Sequence, residues 1–326
     1  MPGHSVTVAM NSTLHILGIT GPIYLAIALG YVFTRRGMFV KSDMQVFGKF
    51  TLNLALPALL FNALSQRRIG EILNGHYLLA YALGSFAVAL LGLLWARKVK
   101  GHSLSYSSMM AMGMSCPNSG FVGYPIMLLT LGPVAGVALA LNMVVENLLM
   151  IPFLLAVADA QGGPAGQWKQ VIAQTLKNLV KNPMIWGITG GFVFSWFDLE
   201  LSAPLARTVT LFAQASMVLS LFVIGGSLVG LKAEGLKGTV TQITVGKLFL
   251  HPLAMFVVLS FVMPVADPAL RSAALLSGAL PMLGIFTILS QRHGHGTISA
   301  AALLLTTIGS FFTLSTLLLV LQHHPF

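Results

Sequence analysis

Apolar runs of roughly 20 residues, apolar on all faces, dominate the chain and are separated by short polar loops. A helix that crosses a bilayer needs about 20 such residues. Ten stretches fit: Leu14–Phe33, Met44–Leu64, Tyr77–Trp95, Tyr106–Thr130, Val134–Ala158, Asn182–Trp196, Pro204–Val229, Thr239–Met263, Ala269–Gln291 and Thr297–Leu321. The sixth is short and is retained because an internal repeat, described below, requires it. A membrane barrel would alternate polar and apolar positions over about ten residues. These runs do not alternate, and Gly and Pro interrupt them, so the pattern predicts an all-α membrane protein.

The loops carry an uneven charge. Arg35, Arg36, Lys41, Arg97, Lys98, Lys100, Lys169, Lys177, Lys181, Lys232, Lys237 and Arg292 follow odd-numbered spans. Arg67, Arg68 and Arg271 lie on the other side, with Arg207 near its edge. Basic loops stay in the cytoplasm, so both termini are expected on the extracytoplasmic side of a multi-pass protein of the cell inner membrane.

Composition narrows the class. Only 8% of the 326 residues are charged and 56% are hydrophobic, against about 25% charged in a soluble domain. That excludes a cytosolic enzyme and a disordered chain. It also excludes a nucleic-acid binder, because the net charge of +10 sits where topology signals sit. The single cysteine, Cys116, rules out a disulfide framework and a cysteine metal site. The first eleven residues contain no Lys or Arg, so no cleavable signal peptide is expected.

Ten spans divide into two fives, and an odd number per half forces opposite topology. Pro22–Phe33 aligns with Pro183–Phe194, sharing Pro, Ile, Gly, Val and Phe and a Tyr/Phe pair. Cys116-Pro-Asn-Ser-Gly120 aligns with Leu280-Pro-Met-Leu-Gly284 through Pro-x-x-Gly. Residues 1–158 and 182–326 are therefore read as two inverted five-helix repeats. Residues 159–181, which include Gln161-Gly-Gly-Pro-Ala-Gly166, form the cytoplasmic linker.

The fourth span carries Pro117, Gly120, Gly123 and Pro125 within nine residues. Each Pro removes a backbone donor and clashes with the preceding turn. One reading is a kinked packing helix. The other is a helix broken at mid-membrane, whose second half would present free N–H groups and a positive dipole end to an anion. Asn118 would then orient the ligand, with Ser119 as a weaker candidate. The ninth span has a matching break at Pro281, Met282 and Gly284. Two such breaks from opposite repeats are expected to cross, as in alternating-access carriers.

Three ionisable groups lie inside spans. Glu146 would act as a proton carrier or cation ligand, or would make a structural hydrogen bond or ion pair. Beside an anion site its protonation would be coupled to substrate binding. Lys247 and His251 share a face at i,i+4. Lys247 could pair with Glu146, attract an anion, or snorkel to the interface, the last being slightly favoured. His251 reads as structural and Lys49 as an interfacial anchor. His293 and His295 fit a solvated turn rather than a metal site. No Walker, GxSxG or HExxH motif is present, so neither ATP-driven transport nor hydrolysis is supported. No enzyme, cofactor or metal is expected.

Several motifs in order resemble the auxin efflux carrier family, which includes plant auxin exporters and bacterial malonate-type carriers. They are Leu56-Pro57-Ala-Leu-Leu-Phe61, Pro117-Asn118-Ser119 with Gly123-Tyr-Pro125, Asn182-Pro183, Lys247-Leu-Phe-Leu-His-Pro252 and Ala279-Leu280-Pro281. The resemblance covers essentially the whole chain. It implies a carrier of small organic anions whose crossed helices form the site. It also implies an elevator movement of six spans against a scaffold of spans one, two, six and seven. The short linker matches the compact bacterial members. The plant exporters have an acidic residue early in the third span, whereas Gly75 to Trp95 contains none, so that proton-linked role does not carry over. The expected partners are a small organic anion, the bilayer, H+ or Na+ as coupling ion, and a second copy of the chain in a homodimer. A sodium-coupled symporter and a non-transporting membrane receptor are the alternative readings.

Overall fold

The computed structural model describes residues 3–160, 177, 180–231, 237–284, 286–293 and 296–323. Most of the expected linker, and His295, lie outside the described residues. Among those residues the fold is all-helical and has no strand. In chain order the main segments are α1 (Gly3–Arg35), α2 (Lys41–Ser65), α3 (Gly75–Leu94), α4 (Leu104–Ser115), α5 (Ser119–Leu131) and α6 (Val134–Asp159). They continue as α7 (Pro183–Trp196), α8 (Ala203–Ser227), α9 (Gly238–Val262), α10 (Pro268–Ala279), α11 (Phe286–Arg292) and α12 (Gly296–His323).

Six of these stretches are long and apolar enough to cross a membrane: those of α2, α3, α6, α8, α9 and α12. The other four expected spans correspond to α1, α4–α5, α7 and α10–α11. Two of these are interrupted, and α7 has only 14 residues. Large apolar side chains point outward, among them Phe261, Leu211 and Phe312 at 77%, 68% and 65% exposure. An apolar exterior of this kind suits lipid rather than water.

Helix starts follow the sequence. Asn74, Ser103, Asn182 and Asp267 cap α3, α4, α7 and α10, each side-chain oxygen accepting a backbone N–H of the first turn. Pro183 and Pro268 sit at the first helical position, where the missing N–H is not needed.

Proline also shapes the helix interiors. Five-residue wide turns occupy Thr51–Ala55, Ser119–Gly123, Glu146–Met150 and Gly246–Leu250. Each ends two residues before a proline: Pro57, Pro125, Pro152 or Pro252. The proline ring cannot share the normal turn. The preceding residue reaches one position further back instead, as Leu56, Tyr124, Ile151 and His251 do. Such wide turns recur at functional sites.

Small residues let helix backbones touch. A Cβ on Gly225 of α8 would collide with the carbonyl of Ile27 on α1, and one on Gly30 with that of Phe222. Gly187 and Gly191 of α7 are closed in the same way by Pro57, Phe61 and Leu64 of α2. Without a hydrophobic force between helices in lipid, such close packing holds membrane helices together.

Candidate functional site

The breaks in the fourth and ninth stretches meet. Pro117 and Met282 form an isolated antiparallel bridge. The N–H of Asn118 donates to the carbonyl of Pro281 at 2.9 Å, and that of Leu283 to the carbonyl of Cys116 at 2.9 Å. Open backbone at membrane depth must be satisfied by protein or line a cavity. Here each break satisfies the other.

Asn118 then starts α5. Its side-chain oxygen accepts the N–H of Phe121 at 3.2 Å, and its carbonyl accepts those of Val122 and Gly123 at 3.2 and 2.9 Å. Its Nδ2 is buried and has no partner among the described residues. An amide donor in that condition costs about 1–3 kcal/mol, which a ligand acceptor would remove. The Nδ2 group lies 3.6 Å from where a Cβ on Gly284 would stand.

Asn118, Gly120, Gly284 and Glu146 line one cavity of about 620 Å³, closed on its other side by α2, α7 and α8. The other expected site residues do not line it. Pro117, Pro281 and Met282 form the paired backbone. Ser119 is fully buried and turns away, donating to Glu146 Oε1 at 2.5 Å.

Behind the crossing runs a polar seam. Tyr77, Tyr81 and Ser85 recur every four residues on one face of α3. Tyr77 donates to Asn142 at 2.9 Å, and Asn142 donates in turn to Ser277 at 2.8 Å. Tyr81 donates to Glu146 Oε1 at 2.7 Å. Ser85 lies 3.2 Å from His251 Nε2.

Lys247 does not snorkel, as the sequence had favoured, and no ion pair joins it to Glu146 among the described residues. It is fully buried and donates to the carbonyl of Gly278 at 2.7 Å, with His251 Nδ1 at 2.8 Å. With Lys247 donating, Nδ1 accepts and Nε2–H is left for Ser85. The reason is geometric: the end of α10 leaves carbonyls unpaired in the interior, and the lysine meets one of them. His251, read as structural, is fully buried between Lys247 and Ser85. His293, in the turn read as solvated, contacts Asp159 at 3.0 Å in an exposed pair.

A model of the membrane transport protein family matches residues 16–318. The chain belongs to that family, the auxin efflux carriers. It is a membrane transporter and not an enzyme. It is 26% identical over 308 residues, 94% of this chain and 96% of the other, to a Rhizobium meliloti protein provisionally named a malonate transporter. It is 25% identical over 300 residues, 89% and 92% of the two chains, to an uncharacterized transporter, YfdV, of Escherichia coli K12. An uncharacterized transporter of Methanothermobacter thermautotrophicus is 23% identical over 192 residues, 58% of this chain and 59% of that protein.

Sequence reasoning missed the cavity wall of α2 and α8 and the roles of Tyr77, Tyr81 and Asn142. A signal existed for the seam. Polar residues at i, i+4 and i+8 in α3, and at i and i+4 in α6, stand out in stretches that are otherwise apolar.

Proposed function

We propose that this transporter is a secondary carrier of small organic carboxylates, and that the crossing at Pro117 and Met282 is its binding site. The observation that carries the reading is the buried Asn118 Nδ2, without a partner among the described residues, in the cavity it shares with Gly284. It sits at the start of a 13-residue helix, whose dipole favours an anion there. Malonate, named for the Rhizobium relative, is the first ligand to test.

In this reading ten spans form two inverted repeats, residues 1–158 and 182–326, joined by a cytoplasmic linker. The glycine contacts support it: the first span packs on the seventh through Gly30, and the sixth on the second through the equivalent Gly191. Those four spans are the scaffold and the other six move elevator-fashion. The protein lies in a bacterial inner membrane with both termini outside. The cavity of Asn118 opens toward the basic loops, being lined by Asn182, Leu231 and Gln291, so the conformation faces the cytoplasm.

Glu146 is the coupling group. A carboxylate substrate in the same cavity would repel an ionised Glu146 strongly at low dielectric, so one proton accompanies each anion. Sodium coupling is the competing arrangement and predicts uptake that stops when sodium is replaced.

The test is thermal unfolding of purified protein with malonate, succinate and acetate. Stabilisation grows with ligand concentration as RT ln(1 + [L]/Kd). We expect a concentration-dependent rise that Asn118→Ala reduces. No rise with any of the three, or a rise unchanged in Asn118→Ala, overturns the site.

A further inference from the structure

A second cavity continues the line of the first. On α2, Asn53 and Leu56 face the cavity of Asn118, while Leu59 and Asn62, up to two turns on, face a cavity of about 690 Å³. On α8 the order is Ser227 and Val223, then Met217 and Gln214. On α5, Phe121 lines the first cavity and Tyr124 and Leu128 the second. The septum includes Leu56 packed on Gly120: its Cδ1 lies 3.2 Å from where a Cβ on Gly120 would stand. The two cavities occupy one track, on opposite sides of the crossing.

The second cavity lies toward the end away from the basic loops. Among the described residues Arg67 is its one cation and Glu71 its one acid. Their ion pair is loose, at 3.6 Å, with the side chains 24% and 53% exposed. A neighbouring cavity of about 510 Å³ shares Asn62, Gln66 and Arg67. The backbone carbonyl of Arg67 is fixed by the hydroxyl of Ser195 at 2.6 Å. The backbone that carries Arg67 is therefore tied down at the mouth, while the pair its guanidinium makes with Glu71 is weak and replaceable. Arg pairs with carboxylates through two parallel hydrogen bonds.

We propose that this outer cavity is a capture site for the carboxylate substrate, in which Arg67 exchanges Glu71 for the incoming anion. The proposal rests on the carrier reading of the crossing. Asn62 and Gln66 supply further polar groups along its wall, and the anion passes from here to Asn118 when the septum opens.

The experiment uses the purified full-length chain carrying Gln214→Cys, an exposed position on the cavity wall. The native Cys116 is buried. Labelling by a bulky maleimide is followed with malonate, succinate or acetate present. We expect at least one of these to slow labelling about threefold or more, and to do so equally when Asn118→Ala is added. The half-protecting concentration should rise about three- to fivefold with Arg67→Gln and fall with Glu71→Gln, the range a partly exposed charge pair supports. Absence of protection by all three anions overturns the proposal. So does protection that Arg67→Gln leaves unchanged, or that Asn118→Ala removes, since the crossing alone would then account for it. Protection that persists in a protein showing no anion counterflow overturns the carrier reading and not this site.

Discussion

Two side chains show what a single residue can and cannot reveal. Asn118 is legible because a carboxamide between a proline and a run of small residues is unusual inside an apolar stretch. Lys247 is legible only as an anomaly, because its partner, the Gly278 carbonyl, lies 31 residues away. Lys247→Met keeps the bulk but leaves that carbonyl and His251 without their donor, at about 1–3 kcal/mol for each buried unpaired group. Its midpoint in a thermal unfolding scan should fall by several degrees, and an unchanged midpoint would contradict the assignment. Glu146 makes a different prediction. Glu146→Gln retains a side-chain oxygen for Tyr81 and Ser119, so it should fold and exchange malonate. In proteoliposomes its uptake should no longer respond to an inward proton gradient, whereas that of the unmodified chain should.

Helices and their punctuation account for most of what was legible at the scale of elements. Capping residues and prolines mark the starts of α7 and α10, and the Pro117 and Pro281 breaks fall where the sequence placed them. The wide turns before Pro57, Pro125, Pro152 and Pro252 are a consequence of proline that hydropathy does not register. Glycine contacts were unreadable too, since a glycine in a membrane helix looks the same whether it faces lipid or a neighbouring backbone. Gly225→Leu should prevent α1 and α8 from packing, with overpacking costing at least about 1–3 kcal/mol. Gly18→Leu, where nothing lies within 4 Å, should be tolerated. Size-exclusion profiles in detergent would separate the two, and equal profiles would argue against this packing.

Contacts between loops organise the whole molecule. The Lys41 ammonium lies 3.3 Å from where a Cβ on Gly230 would stand, and His293 meets Asp159. These contacts pair the loop after α1 with that after α8, and the loop after α6 with that after α11, and Leu231 and Gln291 from the two pairs line the cavity of Asn118 at that end. Ser195 meets the backbone of Arg67 at the other. If the basic end is cytoplasmic, an impermeant thiol reagent should label Asp198→Cys in intact cells and His102→Cys only after permeabilisation. The reverse pattern would invert the topology.

Sequence alone determined the class of this protein, because hydropathy and charge bias are sums over many residues and survive ignorance of every contact. It also located the two breaks, since proline acts on its own chain. Tertiary structure decided how the two breaks pair, which cavity Asn118 and Glu146 share, and where Lys247 turns. Those outcomes depend on pairings between residues far apart in sequence, selected by backbone fit at glycines and by the need to satisfy each buried polar group.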